Sequence, residues 1–137
     1  MKGITITQIK PVSDGDPRGQ TYELFKGLSG AQVTFYRRTA GNTFGNHFHK
    51  GLDLSKDPEY FFLIEGQAQF DARNGRTGET VSHIVNPHEM IVIEKDIFHS
   101  FTALTDVVFI EYRSTVFDPS NPDCFYGQEE YDAYIKH

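Results

Sequence analysis

Apolar and polar residues alternate along much of this chain with a period of two, the spacing that puts successive side chains on opposite faces of a β-strand. Ile4-Thr5-Ile6-Thr7-Gln8-Ile9 shows the pattern first. Tyr22-Glu23-Leu24-Phe25 follows a loop rich in Gly, Asp and Pro at 13–19, and Ser29-Gly30 turns the chain into the run Ala31 to Arg38. Glu59 to Phe70 is a long aromatic and aliphatic stretch with a turn glycine at Gly66, and Asn74-Gly75 marks a hairpin. Thr80 to Val85, Met90 to Glu94, His99 to Leu104 and Val107 to Tyr112 complete the series, with Asn86-Pro87-His88 breaking it once. The pattern predicts about nine strands with turn signals roughly every 8–12 residues, an all-β sandwich or barrel and not a chain of βαβ units. Gln128 to Lys136 has no breaker and spaces Tyr131, Tyr134 and Ile135 as a helix does.

Several strands are apolar on both faces, as in Tyr60-Phe61-Phe62-Leu63-Ile64. A small barrel has one interior, so the second face needs a cover: another sheet, the C-terminal helix or a second copy of the chain. A homodimer is the expectation.

Composition narrows the classes. A chain of 137 residues has the size of one domain. With 38% hydrophobic and 23% charged residues it can build a core and is not disordered. The net charge of −6 disfavours non-specific binding to nucleic acid or an anionic membrane surface. No run approaches the roughly 20 apolar residues of a membrane span, and Met1-Lys2-Gly3-Ile4-Thr5 opens no signal-peptide core. Cys124 is the only cysteine, so no disulfide within the chain is available. A cytoplasmic domain acting on a small molecule is the expectation.

The chemistry gathers around His47-Phe48-His49, because imidazoles two apart on a strand point to one side. Glu59 opens the next strong strand, and His99 follows the turn after Met90 to Glu94. Three imidazoles and a carboxylate from three strands form an N/O donor set suited to a divalent zinc, manganese, iron or nickel ion, with no thiolate to favour a soft metal.

In these residues the sequence resembles the cupin superfamily. Gly41, five residues, His47-Phe48-His49, a gap, Glu59, six residues and Gly66 follow its first motif, with the gap lengthened to the nine residues Lys50 to Pro58. Asp53 and Asp57 in that insert compete with Glu59 as ligands. The second motif keeps His99, with His88, Glu94, Asp96 and Ala103 where Gly, Pro, Gly and Asn are usual. Asp96 tolerates the left-handed turn that the missing glycine would make. The resemblance implies a double-stranded β-helix, the jelly-roll barrel, with a short C-terminal helix. It implies a single cupin domain over 1–137, with a core at about 20–116 and a tail and helix at 117–137. It also implies His47, His49, Glu59 and His99 as metal ligands. Asp16-Pro17-Arg18-Gly19, Gly45 to His49 and Phe117 to Asp123 are similar to the cupin domain of capsular-sugar bifunctional epimerase–reductases, whose reductase half has no counterpart in these residues. The run Gly45 to Lys50 also resembles nucleotide-sugar ketoisomerases, which lack the ligand Glu.

That resemblance implies an isomerase or epimerase of a keto sugar, nucleotide-linked in those relatives. The same ligands would equally hold ferrous iron in a dioxygenase, or serve a non-catalytic small-molecule-binding cupin. Strand parity offers Glu111, Tyr36 and Tyr60 as acid–base candidates, and Arg113, Arg37 and Phe61 as substrate-binding candidates. Arg37 with Arg38 would suit a diphosphate. Each has a plainer role available: Tyr as packing, Glu111 with Arg113 as an ion pair, His83 and His88 as surface residues.

Overall fold

The computed structural model describes residues 1–13 and 15–136; the expected loop at 13–19 therefore includes one residue, Asp14, outside the described set. Nine strands are present: β1 Ile4–Gln8, β2 Gln32–Arg38, β3 Thr43–His47, β4 Glu59–Glu65, β5 Ala68–Asn74, β6 Thr80–Val85, β7 Glu89–Ile93, β8 Ile97–Ala103 and β9 Val107–Arg113. One helix, α1, spans Gln128–Ile135. The strands form two sheets, ordered β1-β7-β4-β9-β2 and β3-β8-β5-β6, with every pairing antiparallel. This is the cupin jelly roll with a short C-terminal helix.

One expectation is corrected. Tyr22 to Phe25 is not a strand, because Phe25 sits at φ +57 and Gly19 and Gly27 also take positive φ, which breaks any extended run. The stretch 59–70 is two strands, β4 and β5, folded back at Gly66. Gly66 is at φ +87, and a Cβ there would stand 2.2 Å from the carbonyl oxygen of Asp106, so only glycine fits this turn.

The core draws on both sheets. Leu63, Ile91, Ile93 and Phe109 meet Phe70, Val85, Phe101 and Ala103 between them. The second apolar face of the larger sheet has a local cover. Phe25 packs at 5.5 Å on Tyr112, Tyr112 donates to the carbonyl of Ser29, and Tyr22 lies 4.3 Å from His88. Residues 22–29 thus lie over this face without joining its ladder. On β2 the cover ends, leaving Val33 and Phe35 more than half exposed. The other sheet is capped by α1, whose Tyr131 is buried against Phe48 and Phe98. No helix among the described residues is long and apolar enough to cross a membrane.

Candidate metal centre and its chamber

Three strands and one loop build the site. β3 ends on His47, β4 begins on Glu59, and β8 carries His99 in register with His47. His49 lies just past β3. Its carbonyl accepts from the amide of Asp96, which takes φ +66 as expected for the residue replacing a turn glycine. The ring centroids stand 4.4 Å (His47–His49), 5.1 Å (His47–His99) and 5.1 Å (His49–His99) apart. One nitrogen from each ring lies within 4.8 Å of the others, so the three imidazoles can hold a divalent metal ion. Glu59 joins them, with Oε2 at 2.9 Å from His49 Nε2 and 3.2 Å from His99 Nε2.

The rings are oriented from behind. His49 Nδ1 is 2.5 Å from the carbonyl oxygen of Asp123, and His99 Nδ1 is 3.0 Å from that of Ile97. A carbonyl can only accept, so each Nδ1 carries the proton and each Nε2 faces inward. His49 Nε2 and Glu59 Oε2 are buried, close together, and yet without a well-directed hydrogen bond. Donor atoms aimed at a common third point have this geometry, and the set fits a divalent cation.

The electrostatics agree. Burial opposes the charge on Glu59, but its contacts with His49 and His99 outweigh burial and hold the carboxyl well below its usual range. Burial also opposes the charge on His49, whereas Cys124, Glu59 and the Asp123 carbonyl hold that ring at about 10. His47 is pushed down to about 3 by burial and by its two neighbouring imidazoles, leaving its lone pair free at neutral pH. A cation at this point would displace the proton on His49. Asp53 and Asp57 take no part. Asp53 accepts from Arg113 at 2.6 Å, and Asp57 accepts the amide of Lys95.

A chamber of about 180 Å³ opens beside the imidazoles. Phe61, Phe101 and Phe109 give it an apolar wall, and Tyr36, Lys56 and Glu111 supply its polar groups on the larger sheet's side. Glu111 is almost fully buried. Tyr36 donates to its Oε1 at 3.4 Å, while Lys56 Nζ and Arg113 Nη1 stand at 3.9 and 3.8 Å. Burial lifts Glu111 to about 7, against the pull of Lys56 and Arg113 and with the push of Glu59. Burial and the Glu111 charge push Tyr36 up to about 12.

The structure brings His47, His49, Glu59, His99, Tyr36, Phe61 and Glu111 to this place. It does not bring Tyr60 or Arg37. Tyr60 has the opposite parity from Glu59 and packs edge-on to Tyr112 outside the barrel. Arg37 points outward over Phe35, and Arg38, one residue on, lines the chamber in its stead. Arg113 is at the inner end of β9 but is held by Asp53 and Thr115. His83 pairs with Glu89 at 2.9 Å, and His88 stacks on Phe62 on the outer face. Lys56 was not anticipated. It is buried, donates to Glu59 Oε1 at 3.0 Å, and comes from a 3-10 turn, Leu54–Lys56, inside the insert. Its one sequence signal is a cation three residues ahead of the ligand Glu.

Residues 14–125 match the model of the polysaccharide biosynthesis C-terminal domain family. The chain is 31% identical over 114 residues to a UDP-2-acetamido-2,6-beta-L-arabino-hexul-4-ose reductase of Pseudomonas aeruginosa, which covers 80% of this chain but 29% of that protein. Among solved structures it is similar to a 3,4-ketoisomerase from Helicobacter canadensis, with a TM-score of 0.76 and 16% identity over 98% of each chain. It is similar also to a dTDP-4-dehydrorhamnose 3,5-epimerase from Sulfolobus tokodaii, with a TM-score of 0.69 and 22% identity over 88% of this chain and 75% of the other. These likenesses carry the fold, and with the family match over most of its length the chain belongs to the polysaccharide biosynthesis C-terminal domain family.

Proposed function

We propose that this chain is a metal-dependent isomerase or epimerase of a keto sugar, with His47, His49, Glu59 and His99 as metal ligands and Glu111 as the base. The observation that carries the reading is the placement of the buried Glu111 carboxyl, hydrogen-bonded by Tyr36, across a small chamber from the imidazole cluster, where burial raises its pKa. A general base works best with a pKa near the operating pH. A divalent ion held by this donor set supplies a Lewis acid for a carbonyl oxygen. The chain's own groups do the rest. Glu111 takes the proton from the carbon beside the ketone, and the electrons of that C–H bond pass into the enolate. A proton delivered to the opposite face of that carbon, with the enolate's electrons forming the new C–H bond, completes an epimerisation. The Lys56 ammonium offsets the developing oxyanion charge. Tyr36, hydrogen-bonded to Glu111, keeps the carboxylate oriented, and the phenylalanine wall keeps water out.

The chamber supports a substrate of one ring. Its 180 Å³ is below the roughly 300–1,000 Å³ of clefts that enclose drug-sized ligands. A nucleotide-linked sugar would leave its nucleotide outside, past Arg38 at the rim. The solved relatives named as a 3,4-ketoisomerase and a nucleotide-sugar 3,5-epimerase lend this class support. One cupin domain over 1–137, a cytoplasmic setting and a homodimer belong to the same reading. The lone Cys124 suits a reducing compartment, and exposed Val33 and Phe35 suit contact with a second copy. The net charge of −6 fits no nucleic-acid partner.

Zinc-loaded protein incubated with nucleotide-linked 4-keto sugars in deuterated water tests the proposal. Uptake of deuterium at the carbon beside the ketone is expected, and it should be abolished by Glu111→Gln. A full panel of such sugars with no exchange would overturn the assignment.

A further inference from the structure

All four proposed metal ligands lie between residues 47 and 99, yet one of them is oriented from the far end of the chain. Asp123 is 2% exposed and holds an unfavourable φ of +51. Among the described residues it makes three hydrogen bonds, all with the segment that carries His49. Its carbonyl oxygen meets His49 Nδ1 at 2.5 Å. Its carboxylate accepts from the amide of Lys50 at 2.9 Å through Oδ1 and from the amide of Asp53 at 3.1 Å through Oδ2. Two residues on, Phe125 exchanges both backbone hydrogen bonds with Phe48, at 2.9 and 3.0 Å. The tail therefore runs as a short strap beside His47-Phe48-His49, with Asp123 at its tightest point.

We infer that Asp123 is a positioning residue for the metal centre: its carboxylate grips the loop after His49 so that its own carbonyl can hold the His49 ring with Nε2 facing the ion. The inference rests on the metal reading above. Side-chain contact alone would not need the left-handed backbone. What that backbone achieves is to aim the carbonyl and the carboxylate of one residue at the same segment. Asp and Asn accept this conformation more readily than other residues with a Cβ. A hydrogen bond behind a ligating imidazole fixes its tautomer and raises its basicity, and losing such a partner costs metal affinity about 10- to 100-fold.

The test uses the full chain and the variants Asp123→Ala, Asp123→Gly and Asp123→Asn. Zinc affinity is read by competition with a chromophoric chelator. The His49 Nδ1–H proton of the zinc-loaded protein is read by NMR, and the metal-free melting temperature reports the fold. Asp123→Ala and Asp123→Gly should both lose affinity about 10- to 100-fold and lose the slowly exchanging Nδ1–H signal. Asp123→Asn, which keeps the backbone preference and one of the two side-chain acceptors, should lose less affinity than Asp123→Ala and keep the signal. Glycine relieves the backbone, so wild-type affinity in Asp123→Gly would reduce the residue to local strain and overturn the inference. Wild-type affinity and signal in Asp123→Ala, with only a lowered melting temperature, would overturn it too. If Asp123→Ala does not fold, Asp123→Gly carries the test. Failure of the unaltered chain to bind zinc would instead strike down the metal reading, and this inference with it.

Discussion

The two ends of the barrel interior are built from the same strands and do opposite things. Along β4 the inward positions read Glu59, Phe61, Leu63; along β8 they read His99, Phe101, Ala103; along β9, from the other end, Glu111, Phe109, Val107. Each strand crosses from ionisable to apolar within two inward steps. One end is a dry cluster of aromatic and branched side chains. The other holds a cluster of buried ionisable groups, among them Glu59, Lys56, His49, His99 and Glu111, whose charges must offset one another. Burying such groups costs stability unless each is paired, so the polar end is a concession that the apolar end sustains. Stability and chemistry are therefore segregated by position along each strand, not by element.

That segregation predicts two large effects of different kind. Glu59→Ala leaves the His49 and Lys56 charges buried without their carboxylate, a change that costs about 3–5 kcal/mol when a buried pair is broken. Metal stoichiometry should fall well below one ion per chain in the same variant. Phe70→Ala, at the apolar end and fully buried, should cost about 3–5 kcal/mol through the cavity it leaves. Zinc should still bind there with wild-type stoichiometry. Urea unfolding and elemental analysis on both variants check the pair. Loss of metal from the Phe70 variant at temperatures where it remains folded would mean that the two ends are not separable.

The next effect is smaller and depends on pH. Glu111 ionises near 7 in the folded chain and near 4.5 when free of its surroundings. Between those values the unfolded chain releases its proton first, so this residue's contribution to stability is complete below 4.5, falls as pH rises, and is lost above 7. Over the window the loss is on the order of 3 kcal/mol, set by burial against the pull of Lys56 and Arg113. Chemical denaturation from pH 4 to 8 should show that decline in the difference between the native protein and Glu111→Gln, because His47, held down to about 3, moves the native profile the opposite way over the same range. Catalytic rate should move the other way, rising as the base ionises toward a plateau above about 7. An identical stability profile in Glu111→Gln would take the carboxyl out of this role.

Much of this was legible without coordinates, and the illegible parts share a cause. Short apolar or alternating runs predict β1 and β2, and β6 to β9: alternation where a strand buries one face, a continuous apolar run where it buries both. The His-x-His pair with Glu59 and His99 was legible because strand parity and motif spacing speak about the same positions. Asp96 in a left-handed turn was legible from residue chemistry alone. Lys56 was not, because its place depends on how Asp53 caps a 3-10 turn and is clasped by Arg113, a contact 60 residues distant. Asp123 was hidden for the same reason. Tyr22 to Phe25 misled because an apolar run that covers a sheet has the same composition as one that joins it.

Arg37 and Arg38 supply the finest test, because neighbours on one strand report on opposite sides of the barrel wall. Sequence alone offered both as anion ligands. In the fold Arg37 lies over the exposed ring of Phe35, at 5.3 Å, whereas Arg38 stands over Tyr36 and Phe44 at 5.1 and 5.4 Å, at the chamber rim. Replacing Arg37 by Ala removes one exposed cation–π contact and should change stability by no more than about 0.5 kcal/mol. Turnover of an anionic sugar nucleotide should stay within a factor of two of wild type. Arg38→Ala should raise KM for such a substrate and leave kcat less affected, since a charge that holds the unreacting part binds ground and transition states alike. Reversal of the two phenotypes would place the substrate's anionic part on the outer face of β2, and the chamber would lose its claim to be where that substrate enters.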